Sequence, residues 1–377
     1  MKPRVSRSHG ALPVFPSELA AFQDALLTWF SSARRDLEWR KTRDPYRIWI
    51  SEVMLQQTRV ATVIPYYRRF VERFPTLRHL AKAPISSVLT HWSGLGYYSR
   101  ARNLHAAAKQ IVKLHNGKFP EVPAAVQSLP GIGPYTAAAV LSIAFDKPAA
   151  VLDGNVARVL ARLGVVSGDL REPKRWKQLG RTAEALLALQ APGDWNQAMM
   201  ELGATVCTPR SPACASCPVS HWCGAHATGS ADTLPSPRSK PRRVHITLIA
   251  AVLLDPRGRT LLVRPADDGE SLFSKLWQFP AVRVKRATNR QALLQELSRE
   301  LLSTLGLSEE VAPASKHALS VVSHTVTFRR VRIHPFLIPV ERLPSTKESR
   351  TPLLAQLDSL PISNATRKIA TVARRSV

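Results

Sequence analysis

Residues Leu129 to Val140 read LPGIGPYTAAAV. A helical run, VPAAVQS, precedes them and an Ala-rich apolar run continues to Phe145, so the stretch reads as helix, Gly-rich turn, helix. Gly131 and Gly133 can take backbone angles that aim consecutive N–H groups outward at the start of the second helix, a cradle for one phosphate oxygen. An ordinary turn between two helices is the other reading of the same residues.

Charge tips the balance. The 377 residues carry 53 Lys and Arg against 27 Asp and Glu, a formal net charge of +26. Such an excess argues for a polyanionic partner, because each neutralised phosphate releases a counterion. A ribosome-like or membrane-surface basic protein is the blander alternative. With 45% hydrophobic residues the chain is globular rather than disordered, and its length allows two domains. No apolar stretch approaches the roughly 20 residues of a membrane span, and the start, MKPRVSRSHGALPVFPS, lacks an apolar signal core. The expectation is a soluble, monomeric, cytoplasmic protein associated with the nucleoid.

Outward from the hairpin, residues 15 to 118 show apolar positions three and four apart with breaks at Pro45, Pro65, Pro75 and Pro84. Asp44-Pro45 is a start signal and Pro65 a stop, which predicts one helix of about 20 residues around Glu52. The segment AAVLDGNVARVLARLGVV starts another helix with Asp153 as its cap. Residues 229–243, GSADTLPSPRSKPRR, read as a basic Pro/Ser-rich linker. Beyond it, VHITLIAAVLLDPRGRTLLVRP predicts a β-hairpin turning at Gly258, residues 290–307 a helix, and HALSVVSHTVTFRRVRIHPFLIPV a return to strands. The organisation expected is a mainly α domain at 15–228 and an α+β domain at 244–370.

The four cysteines, Cys207, Cys214, Cys217 and Cys223, lie within 17 residues in a C-x6-C-x2-C-x5-C pattern. Disulfides that staple a fold are not clustered in this way. Four thiolates on a short loop hold either zinc or a [4Fe-4S] cluster, and spacing alone does not choose.

Two carboxylates have contrasting surroundings. Glu52 sits in IWISEVMLQQTRV, stacked in a helical reading on Ile48, Trp49 and Leu55, so desolvation should raise its pKa above about 4.3. Asp153 heads a helix, where free N–H groups and the dipole favour its ionised form. An acid and a counter-ion of this kind suit cleavage of a glycosidic bond, although alone Asp153 is equally an N-cap and Glu52 a helix-surface glutamate.

The blocks WRKTRDPYRIWISEVMLQQTRVATVIPYY, GLGYYSRARNLH, LPGIGPYTAAAV, VLDGNVARVLAR and NQAMMELGATVCTPRSPACASCPVSHWC together resemble the MutY-type adenine DNA glycosylases of the endonuclease III, helix-hairpin-helix superfamily. The resemblance runs through nearly all of residues 15–227. It implies a [4Fe-4S] cluster on the four cysteines rather than zinc. It also implies that Glu52 protonates adenine, that Asp153 and Tyr135 stabilise a cationic sugar with support from Asn155, and that Arg40 and Gln197 touch the extruded base. Gln57 and Tyr97 would enter the base stack, and Gly131 and Gly133 would hold the backbone. Tyr135 stands where lyase relatives carry a Schiff-base lysine, which implies a monofunctional enzyme.

The second domain resembles the Nudix-like domain of the same family, on LWQFP at 276–280 and VVSHTVTF at 321–328. Ser303 and Thr304 fall where magnesium-binding glutamates would stand in a true Nudix hydrolase, so recognition rather than hydrolysis is implied. Ser323 and His324 are the candidates for contacting 8-oxoguanine, with Val322 where the family often has Phe and no Gly-Gly after Phe279-Pro280. The expected partner is duplex DNA with adenine opposite 8-oxoguanine or guanine. A pyrimidine glycosylase with strand-cleaving activity and a non-catalytic iron-sulfur DNA-binding module are the rival readings.

Overall fold

The computed structural model describes residues 16–236, 243–264, 276–284, 317–326, 328–345 and 348–377. Their helices are α1 (Leu19–Ala33), α2 (Pro45–Leu55), α3 (Val60–Arg73), α4 (Leu77–Lys82), α5 (Ile85–Trp92), α6 (Ser99–Leu114), α7 (Pro123–Gln127), α8 (Pro134–Phe145), α9 (Gly154–Leu163), α10 (Pro173–Leu186), α11 (Pro192–Thr205) and the short α12 (Gly224–Ala227), with a C-terminal helix at Asn364–Arg374. No helix among the described residues is long and apolar enough to cross a membrane. The chain divides into two compact units, one drawn from Met1–Lys82 with Arg102–Ser239 and one from Ala83–Ala101 with Lys240–Val377. Residues 83–101 thus group with the second unit, a departure from the expected 15–228 boundary.

In the first unit α8 is central because it is made of small apolar residues. Ala137, Ala139, Val140, Leu141 and Ile143 are all buried, and α2, α7 and α11 pack on it. Glycines let α11 come close. A Cβ at Gly193 would stand 2.7 Å from the Ser142 carbonyl oxygen, and one at Gly203 would stand 2.8 Å from the Asn155 Cβ on α9. Buried Asn196 fixes the connection between α8 and α9, accepting from the Val151 N–H and donating to the Ala149 carbonyl and the Ser142 hydroxyl.

The hairpin between α7 and α8 forms as expected. Gly131 has φ +77, and a Cβ there would meet the Asn103 Cβ at 2.6 Å, so both conformation and space demand glycine. Gly133 is the N-cap of α8, with open space where a side chain would begin.

The helix around Glu52 is shorter than expected. Asp44 caps it, accepting from the Tyr46 N–H at 2.9 Å, but α2 ends after 11 residues. Gln57 takes φ +57, which no α-helix accommodates, and a second helix begins at Val60. Pro65 lies inside α3 rather than ending it. Pro65 and Ala61, whose carbonyl loses its helical donor, are both exposed.

Residues 229–236 of the expected linker are folded. Ala231 and Leu234 pack with Ala225 of α12, and the Leu234 carbonyl accepts from the buried Arg162 guanidinium. The next six residues, the helix expected at 290–307 and the Ser303 and Thr304 positions lie outside the described residues.

The second unit is α+β, as expected. β1 (Val244–Leu254) pairs antiparallel with β3 (Ala281–Val284) and parallel with β6 (Arg329–Pro339) along its whole length, while β4 (His317–Ala318) and β5 (Val322–Val326) pair antiparallel with β6. The hairpin expected after β1 is reduced to one bridge between Leu254 and Thr260. Both edges of β1 are already taken, so β2 (Leu262–Val263) pairs with β7 (Ser349–Arg350) instead. Alternate β1 residues feed two cores: Ala250 and Val252 face a cluster with Ile369 and Ala373 of the C-terminal helix, and Ile249, Ala251 and Leu253 face Phe336 and Ile338.

Candidate active site

Glu52 reaches its position because α2 is buried almost all round. Ile48, Trp49, Ile50, Val53 and Met54 are each at most 4% exposed and Glu52 is 5% exposed. Each such side chain contributes roughly 1.5–3 kcal/mol on burial, enough together to hold one carboxyl among them. The carboxyl faces a cleft of about 560 Å³ in the first unit, lined by Arg40, Glu52, Gln57, Tyr135, Asp153, Asn155 and Gln197 among others. Seven residues singled out from sequence therefore meet at one cavity. Burial pushes the Glu52 pKa up to about 7, and the nearby Asp153 charge adds to the rise. The Tyr135 hydroxyl, donating to Glu52 Oε2 at 2.6 Å, and the Arg40 charge pull the other way without winning.

Asp153 is the N-cap of α9. Its Oδ1 accepts from the N–H groups of Asn155 and Val156 at 2.9 and 2.7 Å, and its Oδ2 accepts from the Asn155 amide at 3.1 Å. Arg158 in turn donates to the Asn155 amide oxygen at 3.0 Å and to the carbonyls of Gly203 and Cys207, tying the cap to α11 and the cysteine loop. The expectation that the two carboxylates are pushed in opposite directions does not hold. Burial raises Asp153 as well, against the cap N–H groups and Arg158, which lower it. Position at a helix terminus was visible in the sequence, whereas the depth of the cleft that desolvates the cap was not.

Sequence reasoning missed Glu201 and Arg35. The Glu201 carboxylate on α11 has no exposed side-chain surface, and it accepts from the Arg35 backbone N–H at 3.0 Å and from the Arg35 guanidinium at 2.8 and 2.6 Å. Arg40 adds a bond at 2.7 Å and also donates to the Arg35 carbonyl. Burial would raise Glu201, but these bonds outweigh it and bring the pKa down to about 2. Gln197, one turn before Glu201, donates back to the Gly193 carbonyl.

Other candidates lie elsewhere. Tyr97 belongs to the second unit, 40% exposed at φ +44. Ser323 and His324 are neighbours on β5, so their side chains leave opposite faces of the sheet. Ser323 is exposed, while His324 shares the side of buried Val322, where burial and then the Lys368 charge lower its pKa. One ligand contacting both side chains would have to lie around the strand rather than on one face.

The four cysteines are half-buried and carry no disulfide. Burial, with the neighbouring thiols adding to it, raises Cys217 to about 11 and raises Cys223 as well, a set of sulfurs close enough to feel one another. Arg162 donates to Cys207 Sγ at 3.2 Å and to the Thr208 carbonyl at 2.7 Å, so a cation faces the position where a thiolate would be. Among the described residues no three His, Cys, Asp or Glu side chains are gathered tightly enough for a single ion. Four cysteine sulfurs on one loop with a guanidinium beside Cys207 suit an iron-sulfur cluster, whose protein ligands are thiolates. Cys207, Cys214, Cys217 and Cys223 hold a [4Fe-4S] cluster.

Comparison with known proteins agrees. Residues 50–186 match the HhH-GPD superfamily of base excision DNA repair proteins, and residues 207–223 match the iron-sulfur binding domain of endonuclease III. The structure is similar to that of a thermostable thymine-DNA glycosylase, with a TM-score of 0.51 and 32% identity over 56% of this chain and 98% of that one. The adenine DNA glycosylase of Rattus norvegicus is 40% identical over 334 residues, 74% of this chain. The chain spans 64% of that relative's length. The adenine DNA glycosylase of Buchnera aphidicola subsp. Baizongia pistaciae is 36% identical over 260 residues, 69% of this chain and 73% of its own. By identity and coverage together, the chain belongs to the adenine DNA glycosylase family.

Proposed function

We propose that the protein is a monofunctional DNA glycosylase that hydrolyses the N-glycosidic bond of adenine mispaired with 8-oxoguanine or guanine. The observation that carries the reading is Glu52, a buried carboxyl with a pKa of about 7 facing a cleft that also holds the capped Asp153. Near neutral pH a large share of Glu52 is protonated, so it donates to a ring nitrogen of the extruded adenine. The bonding electron pair leaves with the base, and an oxocarbenium-like sugar forms. Asp153 and the Tyr135 oxygen face that cation, and Asn155 and Arg158 keep the Asp153 carboxylate in place. Water then adds at the anomeric carbon and gives a proton back to Glu52.

No lysine lines the cleft among the described residues, which supports hydrolysis over Schiff-base lyase chemistry. Arg40 and Gln197 offer hydrogen-bonding groups to the base, and the Gly131–Gly133 turn and the net charge of +26 suit the duplex backbone. In the second unit Ser323 and His324 are the proposed contacts for the opposing 8-oxoguanine. Single-turnover release of free adenine from duplexes with A opposite 8-oxoguanine, G or C is the decisive measurement. Release from the first two, with no covalent adduct on borohydride treatment, is expected. No free base from any duplex would leave a binding module, and a trapped adduct would restore the lyase reading.

A further inference from the structure

We propose that Glu201 is a positioning residue, which fixes the Arg35 and Arg40 guanidiniums on the wall of the cleft and offsets one of their two charges where the base departs. The inference rests on the glycosylase reading above and deepens it. Glu201 is wholly buried on α11, yet four hydrogen bonds end on its carboxylate, three from Arg35 and one from Arg40. A second bond, to the Arg35 carbonyl, locks the Arg40 guanidinium, whose side chain is only 11% exposed. Its Cζ also lies over the Phe30 ring, 5.5 Å from the centroid. Arg40 is therefore held from below by a bidentate-paired anion, with the cleft on its open side.

This charge balance matters because of what faces Glu52. The groups around the acid are Tyr135 from α8, Asp153 at the cap of α9, and Arg40 ahead of α2, with Arg35, Arg59 and Glu201 on the same cleft. Arg40 favours the charged form of Glu52, while Asp153 and burial oppose it. One carboxylate shared by two guanidiniums leaves that wall with one net positive charge rather than two. Without Glu201 the additional positive charge would draw the proton off Glu52 and oppose positive charge on the protonated base. Sequence reasoning treated Arg40 as a base contact alone, but its anchor also sets how strongly it acts on the acid.

The test is the pH profile of single-turnover adenine release by the cluster-loaded full chain, with DNA affinity measured alongside. The parent should hold its rate below pH 7 and lose it above. Glu201→Gln should move that break down by about one unit, cutting the rate at pH 7.5 about tenfold, while duplex binding is kept or tightened by the added positive charge. Arg40→Gln should move the break upward, whatever it does to affinity, and added to Glu201→Gln it should return the break towards the parent value. Should Glu201→Gln not fold, Arg40→Gln alone decides, since an unmoved or lowered break would overturn the proposal. A folded Glu201→Gln with the parent's break would overturn it too. An inactive parent would instead overturn the glycosylase reading itself.

Discussion

The Tyr135 hydroxyl donates to Glu52 Oε2 at 2.6 Å, a bond that favours the carboxylate, and yet burial keeps the Glu52 pKa at about 7. The bond thus tempers the acid rather than creating it. Tyr135→Phe should remove the tempering and shift the high-pH break in adenine excision upward, while lowering the plateau by the loss of an oxygen facing the sugar cation. A pH profile of single-turnover release reads both effects, and a break that moves downward would refute the assignment.

Glu52→Gln keeps the side-chain shape and an acceptor for Tyr135 but has no proton to give. General acid catalysis typically contributes 10² to 10⁴, so excision should fall by about that factor while affinity for the mispaired duplex persists. The same substitution has a stability signature. In the unfolded chain Glu52 loses its proton near the ordinary value of 4.5, and in the folded protein only near 7, so its contribution to stability is full below pH 4.5 and falls as pH rises to 7. The variant should therefore be more stable than the parent at pH 8, by on the order of 3 kcal/mol, and melt higher there, and lose that advantage at pH 4. Equal melting shifts at both pH values would argue against a buried, raised Glu52.

Asp153 has two jobs that substitution can separate. Asn keeps an oxygen to cap the Asn155 and Val156 N–H groups but carries no charge, and Ala removes both. Asp153→Asn should leave stability nearly unchanged and lower excision at least tenfold, whereas Asp153→Ala should also cost about 1 kcal/mol of stability. Thermal melts run beside excision assays give the comparison. An active Asp153→Asn would reduce the residue to a cap.

Much of this site was legible because its elements are local. Asp44-Pro45 marks the start of α2, Asp153 the start of α9, and Gly131 the left-handed turn before α8, each through chemistry within a few residues. Glu201 shows the limit. It sits in QAMMELGA, as apolar a neighbourhood as that of Glu52, and the same reasoning would raise both. The two diverge because partners more than 160 residues away, Arg35 and Arg40, hydrogen-bond to Glu201, while the bond that reaches the Glu52 carboxyl comes from an uncharged phenol. The break at Gln57 was hidden for another reason: it lies in a positive φ that glutamine composition does not announce. The lost hairpin after β1 has a tertiary cause, since β3, some 30 residues later, occupies the edge it needed, pairing with Thr247 to Ala250.

The cysteine loop gives a chemical prediction. Cys217→Ser should release iron and bleach the protein, and because the Arg162 guanidinium bonds to the loop at Cys207 and Thr208 and to the Leu234 carbonyl, the 207–236 segment should become sensitive to proteolysis. Iron analysis and limited digestion measure the two. A colourless parent containing zinc and no iron would overturn the cluster assignment.

In the second unit Tyr97 is held out to solvent by a built turn. Gly94 and Gly96 have φ +110 and +68, Tyr97 itself φ +44, and the buried Arg100 guanidinium donates to the Leu95 and Gly96 carbonyls at 3.2 and 3.4 Å. That guanidinium also lies between the Trp92 and Tyr97 rings, 5.3 and 5.4 Å from their centroids. Burial lowers the Arg100 pKa to about 10, which still leaves it charged at neutral pH. A non-glycine residue at positive φ costs about 1–3 kcal/mol, so the turn depends on this brace. If Tyr97 enters the base stack, Arg100→Met should weaken binding to the mispaired duplex about as much as Tyr97→Ala, roughly tenfold. The double variant should bind no worse than either single one, because both changes remove the same contact. Affinities of the four proteins for one duplex close the cycle, and additive losses would separate Arg100 from Tyr97.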